Sequence, residues 1–190
     1  MQFGIYRKKG EATMAKIVCA FTGHRPKSFP WKYDEKARDC VQLKEVLAVQ
    51  IKQLAEQGVT TWLTGMAQGV DLWATEIVLD LKKKNPALRL RCILPCEGQE
   101  RKWLASEQER YRSILRQADE VICVNREYSA DCMLARNRYL VEHSSVLLAV
   151  YNGAYRSGTG MTVRYAKQLG REVIVIDPVS RSVSCENAEQ

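Results

Sequence analysis

The sequence predicts a doubly wound α/β domain built on a mainly parallel sheet of about six strands. Three observations carry that prediction. Short apolar runs alternate with stretches of helical period along most of the 190 residues, which is the pattern of successive βαβ units. Glycine-bearing turns stand where an apolar run gives way to a helical period. Residues 145–151 form a nearly continuous apolar run, as expected of a strand covered on both faces.

Taken in order, residues 16–21 read as a buried first strand running into a glycine turn. Pro26 and Pro30 argue against a helix starting at once, so residues 27–36 read as a loop carrying Phe29, Trp31 and Tyr33. Those rings either fold the loop over a small core of its own or form a wall for a stacked base. From Asp39, Leu43, Val46, Leu47, Ile51 and Leu54 keep the helical period until Gly58, a C′ glycine. Residues 59–63 are a second strand. Past Gly69, Val70, Trp73, Ala74, Ile77, Val78 and Leu81 repeat at i, i+3, i+4, i+7, and Lys82, Lys83 and Lys84 complement the end of that helix dipole. Residues 88–94 are a third strand, 100–118 an amphipathic helix with Leu104, Tyr111, Ile114 and Leu115 on its apolar side, and 119–125 a fourth strand. Residues 131–143 are helical and 145–151 a fifth strand; residues 155–162 are a strand–glycine–helix transition, Val163, Ala166 and Leu169 continue as a helix until Gly170, and 172–176 are a sixth strand. Pro178 onward reads as a polar tail.

Residues 1–14 read as a flexible leader or as sequence upstream of a start at Met14, 15–178 as one domain, and 179–190 as the tail. The chain is 46% hydrophobic and 27% charged, enough to build a full core. It contains no run of about 18 apolar residues, so no membrane span is expected, and no apolar signal segment opens it. Seven cysteines without a CxxC pair, and two histidines far from any cysteine cluster, argue against zinc. Cys19 and Cys123 sit in apolar runs and read as free core thiols, which suits a reducing cytoplasm. The net charge of +7 points to an anionic partner without naming it; Arg7, Lys8, Lys9 and Glu11 account for +2 of it, leaving +5.

Three strand exits carry glycine with polar residues: Thr22-Gly23-His24-Arg25, Gly65-Met66-Ala67-Gln68-Gly69 with Asp71, and Ser157-Gly158-Thr159-Gly160 with Thr162. Such turns aim bare backbone N–H groups and a helix dipole at a phosphate. In a doubly wound sheet they share one edge, where ligands bind at the reversal of strand order. Arg25 suits a phosphate through its planar fork. His24 titrates near neutrality but has no nucleophile partner. Arg136 and Asn137 reach the rim from a helix or brace it to a loop. Ser157 or Thr159 caps the last helix while its neighbours offer hydroxyls.

The motif Gly65-Met66-Ala67-Gln68-Gly69-Val70-Asp71 resembles the glycine-rich turn of the DprA/Smf proteins. Ala135-Arg136-Asn137-Arg138, residues 146–151, Ser157-Gly158-Thr159 through Thr162, and Gly170-Arg171-Glu172-Val173 follow the same order. Phe21-Thr22-Gly23-His24-Arg25-Pro26 is similar to the YpsA-like proteins, small bacterial members of the SLOG superfamily, which joins Smf/DprA to the LOG enzymes. The resemblance spans about residues 15–178. It implies a Rossmann-like fold and an ADP-ribose-like or other nucleotide ligand but no one activity; the first reading is a protein that binds or senses that ligand. LOG enzymes cleave the base from a nucleoside monophosphate using an Arg and the Glu of a PGGxGTxxE motif. Arg136 matches that Arg, but Thr162 stands at the Glu, and the proline and paired glycines are missing. Glu76 and Arg136 are therefore the candidate catalytic pair of an alternative, phosphoribohydrolase reading, with Asp71 a second carboxylate nearby. A DprA-like single-stranded DNA module is the third reading; the charge is compatible with it, but the lysines form no stripe. Homo-oligomerisation is compatible with the sequence.

Overall fold

The computed structural model describes residues 17–186. Strand β1 (Ile17–Gly23) lies at the centre of one seven-stranded sheet. Helix α1 (Arg38–Glu56) leads to β2 (Val59–Thr64), α2 (Val70–Lys84) to β3 (Arg89–Leu94), and α3 (Ala105–Gln117) to β4 (Glu120–Cys123). The chain then returns through α4 (Cys132–Glu142) to β5 (Val146–Val150) on the other side of β1, and continues through α5 (Gly158–Gln168) to β6 (Glu172–Ile176) and β7 (Val183–Glu186). The order is β4-β3-β2-β1-β5-β6-β7, all parallel except the β6–β7 pair. Strand order therefore reverses between β1 and β5, and their carboxyl ends open the crevice typical of this topology.

Two apolar layers hold the sheet. On one face, α1 buries Leu43, Leu47, Ile51 and Leu54, which its period put on one side, together with Cys40, with α2 and α3 packed beside it. On the other, Leu140 and Val141 of α4 and Val163 and Ala166 of α5 cover Ala20, Leu63, Leu147 and Ala149. Each fully buried Leu or Val contributes on the order of 1.5–3 kcal/mol relative to exposure. β5 is buried at all five positions, as its unbroken apolar run requires.

Four expectations change. The tail contributes β7, whose alternating backbone groups pair with β6; its side chains stay largely exposed, so no apolar pattern announces it. Pro26–Ser28 forms a single 3-10 turn with proline in its first turn, where the missing N–H costs nothing. The helix expected from residue 100 starts at Ala105, leaving Leu104 at its N-cap, 76% exposed. Cys123, expected in the core, is exposed because β4 is the edge strand.

Candidate functional site

The exits of β1 and β5 and the first turns of α4 and α5 enclose a cleft of about 260 Å³. Thr22, Gly23, His24 and Arg25 line one wall, with Lys27 and Ser28 beyond them. Ala67 and Asp71 form the floor on the β2 side, Met133, Arg136 and Asn137 face them from α4, and Ser157, Gly158 and Thr159 close the far end.

The turn from Gly65 to Gly69 is shaped by its own side chains. Gly69 has φ +89°, open to glycine at little cost. Gly65 leaves room for Arg136: an added Cβ there would stand 1.3 Å from Arg136 Nη1. Arg136 thus lies across the bare Cα of Gly65 and donates from Nη1 to Asp71 Oδ2 at 3.3 Å. The same oxygen accepts the Ala67 N–H at 3.2 Å. The Asp71 carboxylate thus takes up a backbone N–H of this turn. Met66, at φ 56° and fully buried, is held by two groups. The Thr64 hydroxyl accepts its N–H at 3.2 Å, and Gln99 Nε2 donates to its carbonyl at 3.1 Å. Gly65, Met66, Gln68 and Gly69 build this wall from behind; Ala67 and Asp71 alone of that motif line the cleft.

The α5 end has the opposite character. Ser157 caps the helix by accepting the Gly160 N–H at 2.9 Å and donates to the Ala154 carbonyl at 2.7 Å. Gly158 and Thr159 follow the cap, where N–H groups have no carbonyl within their own helix, and open space lies over the Gly158 Cα. Gly160 is buried beneath Ala154 and Tyr151. Thr162 donates its hydroxyl to the Gly158 carbonyl at 2.9 Å and accepts from Asn137 Nδ2 at 3.0 Å. It ties α5 to α4 and stands outside the cleft lining.

Electrostatically the cleft is short of negative charge. Arg136 is 4% exposed, its Nε has no hydrogen-bond partner among the described residues, and Asp71 is its ion-pair partner. Burial works against the Arg136 charge; Asp71 supports it, and the neighbouring Arg25 opposes it further. A guanidinium nevertheless keeps its proton in proteins. Burial likewise pushes the Asp71 carboxyl up, against the pull of Arg136 and the Ala67 N–H. The exposed Arg25 donates from Nη2 toward Met133 Sδ at 3.8 Å, and Arg136 Nη2 lies 3.9 Å from the same sulfur. Two cations thus converge on a thioether, a weak acceptor.

His24 sits apart from that chemistry. Its Nε2 lies 2.9 Å from Asn152 Oδ1, bridging the β1 and β5 exits. Burial lowers its pKa against the support of Asn152, and the ring acts as a brace between the two exits. Glu76 is not brought to the cleft. Its carboxylate pairs with Arg110 of α3, Nε–Oε1 2.6 Å and Nη2–Oε2 2.7 Å. Arg110 also binds Glu35, which accepts Trp73 Nε1 at 2.7 Å and pairs with Lys44. This network pins the aromatic loop to α2: Phe29 stacks on Trp31 at 4.8 Å and meets Trp73 at 5.6 Å. The rings pack the loop instead of forming a cleft wall, and Tyr33 is left exposed.

Residues the motifs did not mark are Lys27, Ser28, Met133, Asn152 and Gln99. Met133 was detectable as the i−3 neighbour of Arg136 on α4, and Lys27 and Ser28 by closeness to Arg25. Nothing local marks Gln99, which acts from a loop beyond β3.

Known proteins resemble this chain in sequence and in fold. A UPF0398 protein of Bacillus velezensis is 31% identical over 138 residues, covering 71% of this chain and 75% of its own. A UPF0398 protein of Bacillus thuringiensis is 31% identical over 156 residues, 80% of this chain and 84% of its own. DNA processing protein A of Helicobacter pylori, known for its single-stranded DNA binding mode, shares the fold. Its TM-score is 0.57 at 18% identity, over 85% of this chain and 65% of that one. The YpsA family, described as the YspA SLOG family, matches residues 19–178, and with that span and those relatives the chain belongs to it.

Proposed function

We propose that this protein binds a nucleotide derivative, ADP-ribose-like or another nucleotide phosphate, and senses or sequesters it in a reducing cytoplasm. The observation that carries the reading is a surplus of positive charge: Arg25 and Arg136 share one sulfur, Asp71 is the carboxylate of the lining that pairs with Arg136, and the buried Arg136 Nε has no hydrogen-bond partner among the described residues. A phosphate between them and the first N–H groups of α5 supplies the missing acceptors. The Gly65–Gly69 turn, filled by Asp71, shapes the cleft without receiving the phosphate. Calorimetric titration with ADP-ribose, NAD and nucleoside monophosphates tests this; no binding at millimolar concentration refutes it. Arg25→Ala removes a charge-assisted contact of about 1.5–3 kcal/mol, so affinity falls roughly 10- to 100-fold with stability unchanged.

A second reading, phosphoribohydrolase chemistry, draws on Asp71. It is the carboxylate in the cleft lining, and its Oδ1 accepts no hydrogen bond among the described residues. Such a group can face an oxocarbenium-like centre. Free base released from a nucleoside monophosphate, abolished by Asp71→Asn and untouched by Glu76→Ala, supports it; cleavage unchanged by Asp71→Asn overturns the role of that residue. Nucleic acid as partner draws on Tyr128 and Tyr155, 76% and 69% exposed near Arg126 and Arg156 on the loops after β4 and β5. Single-stranded DNA binding that weakens steeply with salt is its signature.

A further inference from the structure

We propose that Met133 is an oxidation site that regulates the cleft: its sulfoxide oxygen takes the seat between Arg25 and Arg136 and excludes an anionic ligand. Met133 is half-buried on the first turn of α4 and lines the cleft. Its sulfur lies 3.8 Å from Arg25 Nη2 and 3.9 Å from Arg136 Nη2, two charged donors on an acceptor too weak to satisfy either. The other described methionines lack this setting. Met66 is fully buried in its turn, and Met161 is exposed on α5.

The chemistry needs a peroxide as co-reactant. A sulfur lone pair attacks the distal oxygen of hydrogen peroxide, an S–O bond forms and the O–O bond breaks. The sulfur loses two electrons and the peroxide gains them. The departing hydroxide takes the proton of the transferred OH and leaves as water, and the product is the sulfoxide. The guanidinium of Arg25, at the cleft mouth, stabilises the negative charge developing on the leaving oxygen. The product differs sharply from the thioether: a polar S=O is a strong acceptor, and charge-assisted hydrogen bonds from two guanidiniums hold it where a phosphate oxygen would sit. Closure follows from competition for the same donors, without movement of any strand or helix.

The binding consequence rests on the proposed nucleotide reading, while the chemical step does not. The test is a hydrogen peroxide time course on the full chain, followed by peptide mass spectrometry, thermal unfolding and ADP-ribose calorimetry. Met133 is expected to oxidise within a few-fold of the rate of exposed Met161, with Met66 spared, and Arg25→Ala slows Met133 alone. Oxidised protein melts higher than reduced protein, and this gain is absent in Arg25→Ala. ADP-ribose affinity falls at least ten-fold on oxidation in the natural chain and stays unchanged in Met133→Leu. Met133 as inert as Met66, no dependence on Arg25, or full sulfoxide formation without loss of affinity each overturns the proposal. A reduced protein that binds no nucleotide refutes the functional reading instead, and the rate and melting comparisons still decide the oxidation site.

Discussion

Gly65→Ala is the sharpest probe of how the cleft is built. The added methyl would stand 1.3 Å from Arg136 Nη1, 2.4 Å from Cζ and 2.9 Å from Nε. Ordinary contacts begin at about 3.4 Å, so the guanidinium must retreat by about 2 Å. The backbone is not the obstacle, because Gly65 is not among the positive-φ residues. What is lost is the seat of Arg136 and its 3.3 Å bond to Asp71. Breaking a buried ion pair by removing one partner costs about 3–5 kcal/mol. Arg136 can retreat toward the cleft and recover some solvation, so the expected loss is about 2–4 kcal/mol. In an Arg136→Ala background the methyl meets no guanidinium. Gly65→Ala then becomes neutral, or stabilising by about 0.4–1 kcal/mol through the unfolded chain. Urea unfolding of the four proteins of this double-mutant cycle reads the coupling directly. An equal cost of Gly65→Ala in both backgrounds would refute the claim that this glycine exists to admit Arg136.

Three further outcomes follow from the same contacts. Ser157→Ala removes the α5 cap, lowering stability by about 1 kcal/mol in urea unfolding and loosening the end of the cleft where ADP-ribose titration should weaken. Burial pushes Glu35 up, but Arg110, Lys44 and Trp73 outweigh it and hold the carboxylate at about 2 against an ordinary 4.5. Its folded pKa is depressed, so its stabilising contribution is present above pH 4.5 and is lost as pH falls toward 2; the acid limb of a urea-midpoint profile should be flatter in Glu35→Gln. Thr162→Glu restores the carboxylate that the LOG motif carries. It also breaks the Asn137–Thr162–Gly158 chain, so lower stability and no gain in free-base release are expected from chromatography of nucleoside monophosphate incubations.

The order and type of the elements were legible in the sequence, because apolar periodicity reports which side of a helix or strand meets the core. Leu43, Leu47, Ile51 and Leu54 declare the buried face of α1, and the unbroken run of β5 declares a strand between two layers. The glycine turns declared the sheet edge that carries the cleft, and Arg25, Arg136 and residues 157–159 all reach it. Pairing and charge placement were not legible. β7 joins the sheet through backbone hydrogen bonds, which leave no mark on side-chain pattern. Glu76 and Asp71 lie five residues apart on one helix, and only packing against α3 and α4 sends one to Arg110 and the other to Arg136. The phosphate-like turn Gly65–Gly69 also changes meaning in three dimensions. Its glycine admits a guanidinium and its N–H serves Asp71. A sequence states which groups are present, whereas a buried charge takes its role from the partner that the tertiary fold brings within about 4 Å.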